Sequence, residues 1–305
     1  MYWKYFVPLQ KNHFFNTKMQ KINLIIFIVF ICLHTSAQET LNLWDRTDRT
    51  YKQKKSKLSI FLPEKQNTNG VSVIICPGGS YAHLYGIEWE GFEVAKWLNS
   101  VGITAFVLQY RVGKDGNHHP AMIEDVQRAL QLVKTNSKFY GISPDKVGVM
   151  GLSAGGHLAL MAGAFYKHNY LNNMDIPSDI DLKPAFVVPV YSVVSMQDSI
   201  AHLRSRKNLF GKKFGHAEKN KFSMELQMTQ DMPPIFLVAT KDDPVVSYKN
   251  SLALENALKK ENITHKFLLY NTGGHGFGIN EQRGGESANW KNSFRNWLYE
   301  IGVLK

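Results

Sequence analysis

The sequence predicts an α/β fold, with a mostly parallel central sheet flanked by helices on both faces. From Ser59 onward, short β-branched apolar runs alternate with stretches of helical periodicity, the pattern of strands buried on both faces and joined by crossover helices. Each helical stretch carries one apolar stripe: Val94, Trp97, Leu98 and Val101 in one, and Met122, Val126, Ala129, Leu130 and Val133 in another. Residues three and four apart share one side of a helix, so each stripe is expected to face the sheet. Reactive side chains follow directly on the strand-like runs, where this fold class gathers its ligands.

Taken in order, strands are predicted at 58–62, 71–76, 103–109, 146–150, 185–190, 234–239 and 264–270, with helices between them. A closing helix is predicted at 288–301, where Trp290, Phe294, Trp297 and Leu298 recur on one side. Residues 38–57 read as a polar lead-in. No internal repeat or low-complexity tract interrupts the pattern.

The strand at 146–150 runs straight into Gly151-Leu152-Ser153-Ala154-Gly155-Gly156-His157-Leu158. In a G-x-S-x-G turn between strand and helix the serine backbone is strained, and the flanking glycines remove side chains that would collide with it. The Ser153 hydroxyl is thereby presented at the strand's carboxyl end, beside the free N–H groups and partial positive charge of a helix N-terminus. A dinucleotide loop would need glycine where Ser153 stands, and a plain serine helix cap is the simpler alternative.

A serine nucleophile needs a base and an orienting carboxylate, which behind such a turn follow in the order serine, acid, histidine. The run 234–240 ends in Lys241-Asp242-Asp243-Pro244-Val245-Val246, and 264–270 opens into Asn271-Thr272-Gly273-Gly274-His275-Gly276-Phe277-Gly278. His275, on a flexible and exposed glycine-rich loop, is the candidate general base. Asp243 is the candidate orienting acid, because Pro244 fixes the backbone just after it. Asp242 is the alternative, or else caps the turn or the following helix. The expected oxyanion donors are the N–H of Ala154 and those of Gly79 and Ser80 in Cys76-Pro77-Gly78-Gly79-Ser80-Tyr81, where small residues let the backbone face a ligand. Tyr81 and His83 follow that loop and are candidates for contact with the acyl or sugar part of a substrate. Residues 166–183 and 193–231 are the least regular stretches. They read as loops and short helices that either overhang the serine or form a surface excursion.

Three other positions read as structural. His118 and His119 belong to a polar loop, since no carboxylate or cysteine stands at metal-ligand spacing from them. His157, on the helix behind Ser153, is expected to hydrogen-bond within the elbow, outside the catalytic chemistry. Asp125 reads as a helix-surface acid. No metal site and no cofactor motif is expected.

Together the segments around residues 76–81, 151–158, 242–246 and 273–278 resemble the α/β-hydrolase superfamily. Within it they are most similar to secreted bacterial carbohydrate esterases, the acetylxylan esterase-like and acetyl/feruloyl esterase-like proteins related to hormone-sensitive lipase. Glu90-Gly91-Phe92-Glu93-Val94-Ala95-Lys96-Trp97-Leu98-Asn99 also fits, and the resemblance runs from Ser59 to the C-terminus. Pro77 stands where many lipase-like relatives carry the histidine of His-Gly-Gly-Gly, and Ser80 replaces the last glycine; backbone donation survives both changes. The resemblance implies an α/β-hydrolase fold and cofactor-free Ser-His-Asp hydrolysis of O-acyl esters, foremost O-acetyl, on plant cell wall or other glycans. This is inference by family likeness. The other readings are a general carboxylesterase or serine peptidase of the same fold, and a catalytically silent glycan-binding protein. No added domain or amine-binding carboxylate pair points to a peptidase.

The chain has 305 residues, 44% hydrophobic and 12% aromatic, enough for one large core, so residues 38–305 are expected to form a single domain. Lys18-Met19-Gln20-Lys21, the apolar run 24–33 and Thr35-Ser36-Ala37 describe a secretory signal over 1–37, cleaved after Ala37, with a secreted or periplasmic product. Met19 would make a cleaner start than Met1, leaving 1–18 upstream of the signal. The apolar run is short of the roughly 20 residues that span a bilayer, so no stable membrane anchor is expected. Residues 1–37 carry Lys4, Lys11, Lys18 and Lys21 and no acid, so their removal lowers the formal charge from +11 to +7. The remaining cations are scattered and not interleaved with aromatics, which argues against a nucleic-acid partner. Of the two cysteines only Cys76 would remain, a buried thiol with no disulfide partner.

Overall fold

The computed structural model describes residues 39–44, 56–171, 179–212 and 214–305. The expected signal segment and its cleavage point lie outside the described residues. Eight strands, β1 (Glu39–Asn42), β2 (Lys57–Phe61), β3 (Ser72–Cys76), β4 (Thr104–Gln109), β5 (Val147–Leu152), β6 (Val187–Val190), β7 (Ile235–Thr240) and β8 (His265–Tyr270), form one sheet in the order β1-β2-β4-β3-β5-β6-β7-β8. β1 and β2 pair antiparallel, as do β2 and β4, while every pairing from β4 to β8 is parallel. The main helices are α1 (Glu93–Ser100), α2 (Ala121–Thr135), α3 (Ala154–Ala164), α4 (Leu203–Phe210), α5 (His216–Lys221), α6 (Lys249–Lys260) and α7 (Trp290–Glu300).

The parallel strands read as continuous apolar runs because both of their faces are covered. Ile74 of β3, Phe106 of β4 and Leu237 of β7 point into one core, completed by Met122 and Val126 of α2 and Leu158 of α3. Their neighbours Val73, Val107 and Phe236 point the other way, into a second core closed by Leu98 of α1 and by Trp290, Phe294 and Trp297 of α7. Each such large apolar side chain contributes about 1.5–3 kcal/mol on burial, so α7 alone fastens the C-terminus firmly.

Two expectations fail at the N-terminal edge. The stretch read as a polar lead-in contains β1, whose Thr40 lies opposite Ser59 of β2, and Leu43 and Trp44 just after it are buried. Asp125, read as a helix-surface acid, is fully buried. Its carboxylate accepts from Trp44 Nε1 (2.8 Å), Ser56 Oγ (2.7 Å), the Arg111 N–H (2.7 Å) and Arg111 Nε (3.0 Å). A charge taken out of water needs such partners, and α2 supplies it to tie the first strands to the sheet.

Topology dictates where a site can form. From β3 the chain crosses to β4 on one side, whereas β5 lies on the other. In an open α/β sheet the crevice outside the carboxyl ends of two such strands is the natural place for a ligand. Pro77 leaves β3 there and Ser153 leaves β5.

Candidate active site

Ser153 stands between β5 and α3 with φ 55° and ψ −122°, a conformation that non-glycine residues hold only when their surroundings enforce it. The surroundings are close-packed backbone. A Cβ on Gly151 would lie 2.0 Å from the Gly155 carbonyl oxygen, and one on Gly155 would lie 1.9 Å from that of Cys76. The turn is pinned to β6 as well, the Ser153 N–H donating to Val190 O at 3.0 Å.

Asp243 and His275 arrive from beyond β6, on the loops that follow β7 and β8. His275 Nε2 is 2.9 Å from Ser153 Oγ, and His275 Nδ1 is 2.7 Å from Asp243 Oδ2. A carboxylate only accepts, so Nδ1 carries the proton and the Nε2 lone pair faces the serine hydroxyl. Asp243 Oδ1 accepts the N–H groups of Val245 (2.8 Å) and Val246 (2.9 Å), which fixes the carboxylate on its turn. Asp242 does something different. It accepts the N–H groups of Gly273 (3.1 Å) and Gly274 (2.9 Å), and these bonds, that from Gly274 foremost, hold its carboxyl below the usual range. The imidazole is less open than a glycine-rich loop suggests: its side chain is 13% exposed, with the Tyr191 ring 4.8 Å away.

The loop after β3 runs alongside the serine, a Cβ on Gly78 lying 3.0 Å from Ser153 Cβ. Gly79, Ser80 and Tyr81 all have positive φ, at 135°, 58° and 57°. Gly79 O accepts from the N–H groups of Ala82 (2.9 Å) and His83 (3.2 Å), and Ser80 O from Asn208 Nδ2 of α4 (3.1 Å). These carbonyls are engaged on the turn and α4 sides. Ala154 opens α3, so its N–H has no carbonyl one turn back inside the helix.

The structure separates the two residues expected to touch substrate. Tyr81 does not face the site opening: it is fully buried, with Oη 2.9 Å from His157 Nδ1. His157 Nε2 lies 2.8 Å from Phe222 O; a carbonyl only accepts, so Nε2 donates and Nδ1 accepts from the tyrosine. Burial pushes His157 down to about 4, and its place is inside the elbow. His83 remains at the surface, its ring 3.8 Å from that of exposed Tyr85 and its Nε2 3.1 Å from Arg204 Nη2. Partial burial, then Arg204 and Lys114, lower its pKa. Of the irregular stretch 193–231, α4 therefore lies against the loop after β3.

His118 Nδ1 lies 2.8 Å from Asn208 O, and His119 packs its ring on Phe222. Among the described residues no group of three or more His, Cys, Asp or Glu could hold a metal ion, and no helix is long and apolar enough to cross a membrane. One residue at the site escaped the sequence reading: Glu90, in the π-helical turn Ile87–Phe92, is buried beneath the loop after β3.

Comparison with known proteins places these features in a family. The BD-FAE family model matches residues 58–258. The chain is 29% identical over 271 residues to an acetylxylan esterase of Xylanibacter ruminicola, covering 87% of this chain and 51% of that protein. It is also 29% identical over 209 residues to endo-1,4-beta-xylanase B of Butyrivibrio fibrisolvens, covering 68% of this chain and 32% of that one. It thus spans about half or less of these curated relatives. Among solved structures, the acetyl ester-xyloside bifunctional hydrolase of Caldicellulosiruptor lactoaceticus superposes with a TM-score of 0.78 at 30% identity, over 88% of this chain and 98% of that one. The propionate-bound esterase Est2 of Thermogutta terrifontis, at 20% identity and a TM-score of 0.71 over 90% and 98% of the two chains, shares the fold. The chain has the α/β-hydrolase fold and belongs to the BD-FAE family.

Proposed function

We propose that this protein is a serine carboxylic ester hydrolase that removes O-acyl groups, foremost O-acetyl, from xylan-like plant cell wall glycans. The observation that carries the reading is the unbroken relay from Asp243 through His275 to Ser153, with links of 2.7 and 2.9 Å. Ser153 Oγ attacks the ester carbonyl while Nε2 of His275 takes its proton. Asp243 keeps the tautomer and favours the imidazolium, and the N–H groups of Ala154, Gly79 and Ser80 receive the oxyanion. The imidazolium then protonates the departing sugar oxygen, leaving an acyl-serine. Water activated by the same histidine hydrolyses it.

The substrate class rests on the relatives, whose names include an acetylxylan esterase and an acetyl ester-xyloside hydrolase. An exported protein, with a signal over 1–37 and one catalytic domain after it, suits a polymeric substrate that stays outside the cell. A second reading, a general short-chain carboxylesterase, is favoured by the similarity to esterase LipC of Mycobacterium tuberculosis, 25% identical over 218 residues.

Acetate release from acetylated xylan, measured beside p-nitrophenyl acetate hydrolysis, decides between them. The proposal expects turnover of both; turnover of the aryl ester alone supports the general esterase. Ser153→Ala is expected to lower kcat by on the order of 10⁴- to 10⁶-fold with the fold intact, and a variant keeping most of its rate refutes the mechanism.

A further inference from the structure

Glu90 is an acid the relay does not use, yet three segments of the site converge on it. Its side chain is 4% exposed. Oε2 accepts the Gly78 N–H at 2.8 Å, and Oε1 accepts the Tyr191 O–H at 2.9 Å. Tyr191 Oη accepts the Gly278 N–H at 3.0 Å in turn. One carboxyl group therefore joins the loop after β3, the end of β6 and the histidine loop after β8. The backbone makes room for it: a Cβ on Gly78 would lie 2.6 Å from Oε2, and one on Gly86 only 2.2 Å from it.

The proton inventory favours the ionised form. Gly78 offers only a donor, and the Tyr191 oxygen is already taken by Gly278, so its own proton points at Glu90; a protonated Glu90 would add a third proton with no fresh acceptor. Burial pulls the other way and raises the pKa, opposed by Gly78, Tyr191, His275 and Arg283. Tyr110 is the remaining titratable neighbour. Around His275 the charged and titratable groups are Asp243, His202, Glu90 and Tyr191, whose ring lies 4.8 Å away.

We propose that Glu90 is a positioning residue, a second buried carboxylate that sets Gly79 and Ser80 beside Ser153 through Gly78 and places negative charge near His275 as it becomes imidazolium. This rests on the serine mechanism above. Burial makes the charge effective, because field lines through the protein interior are less screened than those through water. It acts on the histidine without touching the reacting atoms.

The test is the pH profile of p-nitrophenyl acetate hydrolysis by the full chain and by Glu90→Gln, Glu90→Asp and Ser153→Ala. Glu90→Gln removes the charge and, because an amide has only one accepting oxygen, also one of the two ties to Gly78 and Tyr191. It is expected to lower kcat about a hundredfold, the effect of misplacing a reacting group by about 1 Å, with KM changing little. Without the nearby negative charge the imidazolium is less favoured, so the acid limb of kcat/KM moves to lower pH, by about one unit. Glu90→Asp restores the charge but not the reach, so its limb returns to the wild-type position while kcat stays low. Should Glu90→Gln fail to fold, Glu90→Asp with a displaced limb overturns the proposal. An unmoved limb in folded Glu90→Gln also overturns it. An active Ser153→Ala overturns the serine mechanism instead.

Discussion

Asp242 and Asp243 are neighbours in sequence and serve opposite ends of one loop. Asp243 meets the His275 ring, and Asp242 holds the backbone of Gly273 and Gly274 that carries it. The chain leaves β7 in a turn that points consecutive side chains in different directions, so two adjacent acids reach the ring and its support. Of the sequence-based alternatives for Asp242, the triad acid or a cap on the turn or the following helix, the observed bonds are those of a backbone cap, made to the histidine loop.

Replacing each acid by its amide separates these roles. Asp243→Asn is expected to lower kcat by about 10⁴-fold, because an amide can donate to Nδ1 and so stabilise the wrong tautomer. Asp242→Asn is expected to lower it by on the order of tenfold, since Thr240 Oγ1 still holds Gly274 O at 2.7 Å. Steady-state kinetics on p-nitrophenyl acetate compares them; equal losses would mean that Asp242 shares in orienting the ring.

Tyr81 and His83 are expected to part company in the same assay. Tyr81→Phe leaves the buried Nδ1 of His157 without its donor, which costs about 1–3 kcal/mol of stability and appears as a lower urea midpoint with kcat/KM unchanged. His83→Ala, at the surface beside Tyr85 and Arg204, is expected to raise KM for acetylated xylan with little loss of stability. A Tyr81→Phe enzyme of wild-type stability but impaired turnover would return that residue to the substrate side.

What the sequence revealed follows from where each constraint lies. The strands β2 to β8 were legible because each is an apolar run of strand length, unbroken where both faces are buried, and the places of Ser153, Asp243 and His275 at strand ends were legible because each follows such a run in a turn whose glycines or proline announce it. β1 was not legible, since Glu39–Asn42 pairs by backbone at a solvated edge and its side chains carry no pattern. Asp125 misled because its partners Trp44 and Ser56 lie 81 and 69 residues away. Glu90 was hidden differently: a π-helical turn rotates its acid inward where α-helical spacing gives no warning.

Two histidines with lowered pKa, His157 in the elbow and His119 in the loop before α2, contribute to the acid stability of the fold. Burial pushes both His157 and His119 down to about 4. Both stay neutral when folded, so their contribution is complete above the ordinary 6.5 and is lost as pH falls toward 4, where only the unfolded chain gains protons. For His157 the full loss is about 3 kcal/mol. Urea unfolding across this range is expected to show stability rising with pH, and His157→Gln to be weaker at pH 7 but flatter below it. Parallel curves for the two proteins would mean that His157 takes up its proton at the same pH in the folded and in the unfolded chain.

Asp125 offers the sharpest contrast between a surface and an interior acid. Removing an exposed helix carboxylate changes stability by about 0.5 kcal/mol or less. Asp125→Ala instead takes one carboxylate from the Arg111 guanidinium, whose side chain is 10% exposed, and removes the oxygens to which Trp44 Nε1 and Ser56 Oγ donate. Breaking one side of a buried ion pair costs about 3–5 kcal/mol. Glu124, 2.7 Å from Arg111 Nη2, keeps one partner for the cation, which places the expected loss toward the lower end. Because the network joins the start of β2 and the end of β4 to α2, and the relay runs from Asp243 through His275 to Ser153, the folded fraction should retain its kcat. Urea unfolding at pH 7 measures the first quantity and active-site titration the second. A change near 0.5 kcal/mol would mean that the acid is solvated after all, and a large loss of kcat in the folded fraction would mean that this edge of the sheet communicates with Ser153.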